Sequence, residues 1–352
     1  MHIAVILPRW VGDAVMATPL LRTLRTHFRS GRITGVMRPV IADLLDGTGW
    51  IDDVVPYDRH GRNPSNRFRA AARALRAARA DVALVLPNSL SAAALAFAGA
   101  ARRRVGHRGH WRRLLLTDVV PPRRGEPVVP PPVAFMELAR AIGASPGPLG
   151  VQLRVSAEDL ARGDALLAAF FPGRDGPLVV LNDNSSNGSA RSWGASRHAA
   201  LARWLEARVP GVRVLVHCGP ADRDQALAVV AEAASPAVRG LGDAADLPIG
   251  LSKAVYARAA AAVSSDSGPR HIAAAFGVPT VALVGPTDPR LGRSDPEGCV
   301  EIRRTLACSP CGHGECPLRH HDCMRLIGTE EVGAAVLEAL TRGAETRATP
   351  IG

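Results

Sequence analysis

The chain has 352 residues, room for two domains at about 150 residues each. With 47% hydrophobic and 21% charged residues, 34 Gly and 28 Pro, it falls outside the disordered, collagenous and small disulfide-stapled classes and reads as a soluble globular protein. The charge is one-sided: 43 basic against 32 acidic residues give +11, and Lys253 is the only lysine. Such an excess suits nucleic acid, a membrane surface or a phosphorylated substrate, or else a coding bias that scatters arginine without a partner.

Read in order, the first half alternates short apolar strands with longer helical segments. Strands are predicted at 3–7, 33–37, 54–57 and 82–86. A helix follows the first loop, with Met16, Leu20, Leu24 and Phe28 at helical spacing, and 67–79 reads as an amphipathic helix with a basic outer face. Residues 102–132 (RRRVGHRGHWRR to PPRRGEPVVPPP) read as an extended, mobile or partner-binding loop, because closely spaced prolines oppose helix and central strand. A helix at 133–142 and the Gly/Pro stretch GASPGPLG approach the domain boundary. The rhythm restarts with strands at 178–181, 213–217, 262–264 and 280–284 and helices at 196–208, 222–234 and 269–276. The fold class is therefore α/β: two Rossmann-like domains with parallel sheets, at 1–165 and 175–330, followed by a C-terminal helix and tail at 331–352. The ligand is expected beyond the carboxyl ends of the strands, in the cleft between the two halves.

No apolar run reaches the roughly 20 residues that span a bilayer, and residues 1–8 lack the basic start of a signal peptide. A cytoplasmic protein is the expectation, with six cysteines reduced. Four of them cluster as Cys308, Cys311, Cys316 and Cys323, near His313, His320 and His321, so free thiols, a structural zinc site and disulfides are all open. Cys218 and Cys299 read as ordinary buried residues.

Three loops lie at strand ends. In Pro8-Arg9-Trp10-Val11-Gly12-Asp13-Ala14, Gly12 allows a tight turn and Asp13 is either a general base or a helix cap. In the segment from Ser264 to His271, Ser267 and Gly268 offer backbone N–H groups at a helix start and Pro269 suits its first position, which together make a phosphate site. Asp266 and His271 flank it. In the polar loop 182–193, Arg191 can reach a phosphate. Asp222 and Asp224 form a D-x-D, which fits a divalent metal, a ribose hydroxyl contact or simply a helix's first turn.

Four segments carry a resemblance that runs through nearly the whole chain: LPRWVGDAVMATPLLRTLR, SARSWGASRHAALARWL, SSDSGPRHIAAAFGVPTVALVGPTDP and CSPCGHGECPLRHHDCMRLI. With these the chain resembles the bacterial ADP-heptose:lipopolysaccharide heptosyltransferases, glycosyltransferase family 9, most closely the type that adds the second heptose of the inner core. The resemblance implies a GT-B fold and an inverting glycosyl transfer that needs no metal or other cofactor. Asp13 matches the family's general base, Asp266, Ser267, Gly268 and Pro269 match its sugar-nucleotide segment, and Arg191 matches the basic residue that stabilises leaving ADP. Trp10, Gly12, Asp222 and His271 are counted with the substrate-binding residues. Arg59, Arg62, Arg112 and Arg113 fall in the half that receives the acceptor in this fold.

The implied partners are ADP-heptose or a related nucleotide sugar, a lipid-anchored core oligosaccharide, and the inner face of the cytoplasmic membrane, with the proline-rich stretch as a lid. Departures from the family pattern are Asp183-Asn184 for its Pro-Gly, Ser265 for an Asn, Ser192 in its basic pair and Gly194 for a proline. They leave a GT-B glycosyltransferase with a different nucleotide sugar or glycolipid acceptor as the alternative. A nucleic-acid-binding protein is disfavoured, since there is no recognised module and the aromatic content of 4% gives little for base stacking.

Overall fold

The computed structural model describes residues 1–121, 125, 128–183, 188–292 and 298–348. The chain divides into two compact units, Met1–Arg154 and Val155–Gly352.

Unit 1 runs β1 (His2–Ile6), α1 (Val11–Met16), α2 (Thr18–His27), β2 (Arg32–Met37), α3 (Pro39–Leu45), β3 (Asp53–Pro56), α4 (Phe68–Ala78), β4 (Val82–Val85), α5 (Leu90–Ala98), β5 (Arg103–His107), β6 (Asp118–Val120) and α6 (Pro131–Ala141). Its strands lie in the order β3-β2-β1-β4-β5-β6, all parallel. That is the doubly wound order whose direction reverses between β1 and β4. Ile3 faces Ile33 on one side and Val82 on the other. Both faces of β1 are covered, so its sequence is a continuous apolar run rather than an alternation. On α2 the apolar stripe of Leu20, Leu21 and Leu24 is wholly buried, each side chain contributing about 1.5–3 kcal/mol.

Unit 2 repeats the plan with α7 (Ala157–Phe170), β7 (Leu178–Asn182), α8 (Ala195–Glu206), β8 (Arg213–Val216), α9 (Arg223–Ala233), β9 (Val238–Gly240), α10 (Ile249–Arg258), β10 (Ala261–Ser265), α11 (Gly268–Ala275), β11 (Thr280–Val284), β12 (Cys299–Arg303), α12 (Asp322–Arg325) and α13 (Thr329–Ala348). The order β12-β11-β10-β7-β8-β9 is again all parallel and reverses between β7 and β10. Among the described residues no helix is long and apolar enough to cross a membrane.

Two expectations about organisation change. The division falls after Arg154 rather than at 165, because α7 packs on α10 and so belongs to unit 2. Stretch 102–132 is not one extended loop: it supplies β5, a 3₁₀ turn His110–Leu114, β6 and the start of α6. Arginine hid the strand, since β5 opens Arg103-Arg104 and buries only Val105 and Gly106 fully. Pro131 and Pro132 begin α6 rather than breaking it, because a first-turn N–H has no partner within the helix to lose. Residues 122–124 and 126–127 of the expected lid lie outside the described residues.

Candidate active site

The reversal between β7 and β10 gathers a polar cluster at the carboxyl ends of these strands. Asn182 closes β7, Ser264 and Ser265 close β10, and α11 starts at Gly268 with Ser267 as its N-cap. Asn182 Nδ2 donates to Ser267 Oγ (3.0 Å) and Ser264 Oγ (3.3 Å). Beneath it, His217 Nδ1 donates to Asn182 Oδ1 (3.3 Å), and its Nε2 accepts from Ser252 Oγ (2.9 Å). An amide oxygen can only accept, which fixes the proton on Nδ1 and leaves Nε2 for the serine. The chain Ser252, His217, Asn182, Ser267 thus runs from the core to the helix start. Among the described residues no side-chain hydrogen bond caps α11, and its first-turn amides lie at the positive end of the helix dipole, a suitable arrangement for a phosphate.

Arg191 is held beside this turn. It lies in the 3₁₀ turn Ser189–Arg191, and its Nη1 donates to the Asp266 main-chain oxygen at 2.8 Å. The Asp266 carboxylate points elsewhere: it pairs with buried Arg270 (2.9 Å), which also binds Glu301 (2.6 Å). Burial opposes the charge on Arg270, but Cys299, Asp266 and Glu301 outweigh it and raise its pKa. Asp266 therefore meets Arg191 through its backbone, while its side chain holds Arg270, whose guanidinium ties α11 to Glu301 of β12.

Two histidines under the turn are strongly neutral. Burial pushes His217 down to about 4, and burial together with Arg270 pushes His271 to about 4 against the pull of Asp266. Unfolded imidazole titrates near 6.5, so stability from these groups is fully present above about pH 6.5 and is lost as the pH falls towards 4. His217 alone should cost about 3 kcal/mol by pH 4. Urea unfolding at pH 7, 5.5 and 4 should show this loss, with a shallower pH slope in His217→Asn; a flat profile in the parent protein would refute the assignment.

The comparisons with known proteins agree on one relationship. The family model for glycosyltransferase family 9 (heptosyltransferase) matches residues 68–321. Lipopolysaccharide heptosyltransferase 2 of Salmonella typhimurium is 30% identical, over 82% of this chain and 84% of that protein. The chain belongs to glycosyltransferase family 9. The Escherichia coli K12 lipopolysaccharide heptosyltransferase 2 is 29% identical over the same shares. The solved structure of the E. coli ADP-heptose lps heptosyltransferase II superposes with a TM-score of 0.79 at 25% identity, covering 97% of this chain and 99% of that one. A family 9 glycosyl transferase from Veillonella parvula shares the fold at a TM-score of 0.84 and 20% identity, over 97% of both chains. The two doubly wound units are thus those of the GT-B fold.

The other sequence-singled residues of this family 9 chain fall into place unevenly. In unit 1, helix α1 already begins at Val11, so buried Gly12 and half-exposed Asp13 sit in its first turn rather than in a loop. Trp10, not Asp13, is the N-cap, and its ring carries the Arg9 guanidinium at 4.5 Å. Arg59, Arg62 and Arg113 are exposed. Arg112 is the exception: it is 1% exposed, and donates to the main-chain oxygens of Pro87 (2.5 Å) and Val85 (3.5 Å). Its long stem buries along the sheet and its head ties the His110–Leu114 turn to the end of β4, which makes it a structural residue rather than a surface contact. In unit 2, Asp222 ends the 3₁₀ turn Pro220–Asp222 beyond β8, half-exposed, with Asp224 in the first turn of α9.

Asp183 was missed as an organiser. It is 2% exposed, and its carboxylate accepts from Ser192 Oγ (2.6 Å), Trp193 N (2.6 Å), Gly194 N (3.2 Å) and Gln225 Nε2 (3.0 Å). Ser265, the second departure from the family pattern, is also buried, and its Oγ donates to Ser267 Oγ (3.3 Å). Both substitutions face inward. Gly194 has φ +98°, which proline cannot adopt, so that departure too concerns the chain path. Asn184 lies outside the described residues.

The late cysteines meet the site from below. Cys308, Cys311, Cys316 and Cys323 line one cavity of about 220 Å³ and are free thiols, as are Cys218 and half-buried Cys299. Cys308 Sγ lies 3.9 Å from His320 Nε2, but among the described residues no three His, Cys, Asp or Glu side chains are arranged to hold a metal ion. This segment props the Arg191 turn. Ala190 N donates to Gly314 O (3.0 Å), His321 Nε2 donates to Ala190 O (2.6 Å), and Gly188, at φ +106°, leaves no room for a Cβ against the Gly314 carbonyl. No local sequence signal joins 190 to 314 and 321.

Proposed function

We propose that this chain transfers heptose from ADP-heptose to the lipid-anchored inner core of lipopolysaccharide, with inversion and without a metal, at the cytoplasmic face of the membrane. The observation that carries the reading is the uncapped start of α11, with Ser267 oriented by Asn182 and Arg191 anchored on Asp266 O, in a chain 30% identical to a lipopolysaccharide heptosyltransferase 2. The pyrophosphate of the donor lies against the α11 amides, and Asp222, beyond β8, takes a ribose hydroxyl. In unit 1, Asp13 accepts the proton of the acceptor hydroxyl as its oxygen attacks the anomeric carbon. The bond from that carbon to the ADP oxygen breaks, and ADP leaves with the electron pair. Charge grows on the β-phosphate in the transition state, where preorganised amides and Arg191 contribute most. Exposed Arg59, Arg62 and Arg113 take the anionic groups of the acceptor.

A different nucleotide sugar is the alternative, because Asp183 and Ser265 depart from the family pattern, although both side chains are buried and turned into the protein. Purified protein given ADP-heptose and a heptose-bearing core acceptor should release ADP, at the same rate with excess EDTA. Strict dependence on Mg²⁺ or Mn²⁺ would overturn the metal-free mechanism. In a thermal-shift panel of nucleotide sugars, ADP-heptose at 100 times its Kd should add about 2.7 kcal/mol; a larger shift from another sugar with no response to ADP-heptose would favour the alternative.

A further inference from the structure

Helix α5 and the His110–Leu114 turn pack together in unit 1. Between them they leave four large apolar side chains in solvent: Leu90 (51% exposed), Phe97 (54%), Trp111 (77%) and Leu114 (69%). Leu90 and Phe97 stand seven residues apart, two helical turns, and so share one face of α5. The exposure of Trp111 and Leu114 does not come from a loose loop. Buried Arg112 fastens their turn to Pro87 O, and Gly109 lies so close to the Asn88 amide that a Cβ there would collide with it.

The charge around these side chains is one-sided. Residues 82–117 contain six arginines and no aspartate or glutamate. Arg102, Arg103, Arg108 and Arg113 are exposed, and the Arg104 guanidinium covers the Phe97 ring at 5.4 Å. Arg103 pairs with Asp118 (2.8 Å), whereas Arg102, Arg108 and Arg113 meet no carboxylate among the described residues. Single exposed apolar residues need no explanation. Four of them on two interlocked segments, beside Arg102, Arg108 and Arg113 that meet no carboxylate among the described residues, have the composition of a surface that enters the headgroup layer of an anionic bilayer. Tryptophan and phenylalanine supply the apolar anchor, and arginine binds lipid phosphate bidentately.

We propose that α5 and the His110–Leu114 turn form a docking face for an anionic lipid bilayer, with Phe97, Trp111, Leu90 and Leu114 entering the interface and Arg102 and Arg108 on lipid phosphates. The purpose of such a face rests on the lipid-anchored acceptor proposed above; its test does not pass through catalysis. It also explains why this stretch keeps its arginines exposed while Arg112 is buried: the buried one fixes the turn that presents the others.

The test is co-sedimentation of the full chain with phosphatidylcholine vesicles, with and without about 30% phosphatidylglycerol. Binding should need the anionic lipid and weaken several-fold as salt rises from about 0.05 to 0.5 M. The double variant Phe97→Ser with Trp111→Ser should partition at least about tenfold more weakly, and Arg108→Glu should also weaken it. Both positions are exposed, so melting curves should match the parent, and ADP release on a soluble, delipidated core acceptor should be unchanged in the double variant. The proposal is overturned if the parent ignores anionic vesicles, if it binds neutral ones equally well, or if the folded double variant binds as tightly as the parent. Loss of activity on the soluble acceptor with vesicle binding intact would also overturn it and make the patch an acceptor surface. Vesicle binding without any heptosyl transfer would reject the function proposed above and leave the docking face standing.

Discussion

Asp13→Asn is expected to lower the rate of ADP release by about 10²–10⁴-fold, the range a positioned general base supplies. Asparagine is the informative replacement because it keeps the volume and polarity of aspartate at this half-exposed position. Helix α1 should therefore form unchanged, with Gly12, Ala14, Val15 and Met16 still buried. What disappears is the ability to accept a proton. The expected pattern is a fall in kcat with an unaltered melting curve and unaltered thermal stabilisation by ADP, since the donor groups around Ser267 and Arg191 belong to unit 2. Undiminished turnover in this variant would remove Asp13 from the chemistry. A parallel loss of ADP binding would place it with the donor instead.

The periodic parts of the fold were legible in the sequence, and the site's supports were not. Strands such as Thr280–Val284 are buried on both faces, and a short apolar run between turn residues gives them away. The start of α11 was equally open to reading, because Ser267, Gly268 and Pro269 are consecutive and each suits a helix start for a local reason. Strand β5 was hidden because arginines open it and a proline-rich stretch follows. Arg112 and Arg113 are neighbours of one type with opposite fates, one buried against Pro87 O and one in solvent, which no composition rule separates. The same holds for His217, whose link to Ser267 runs through Asn182 and is assembled only when β7, β8 and β10 come together.

Asp183 carries the second large effect, on stability and on the shape of the site at once. Its carboxylate satisfies two main-chain N–H groups, at Trp193 and Gly194, together with Ser192 Oγ and Gln225 Nε2. All of this happens at 2% exposure, where water cannot replace a lost acceptor. Removing one member of such a network leaves several buried donors unpaired, so Asp183→Ala should destabilise unit 2 by about 3–5 kcal/mol. Urea unfolding followed by far-UV circular dichroism reads this out. Ser192→Ala removes a single neutral donor and should cost only about 1 kcal/mol. The consequence for function follows from the chain path: Ser192 and Trp193 directly succeed Arg191, so a loosened Ser192–Gly194 backbone frees the guanidinium from Asp266 O. Asp183→Asn should therefore weaken ADP binding even under conditions where the protein remains folded, because an amide can still accept but brings an NH₂ donor towards Trp193 N or Gly194 N. Equal ADP affinity in folded Asp183→Asn and the parent would show that Arg191 is held by the cysteine-rich segment alone, through the Gly314 and His321 bonds to Ala190.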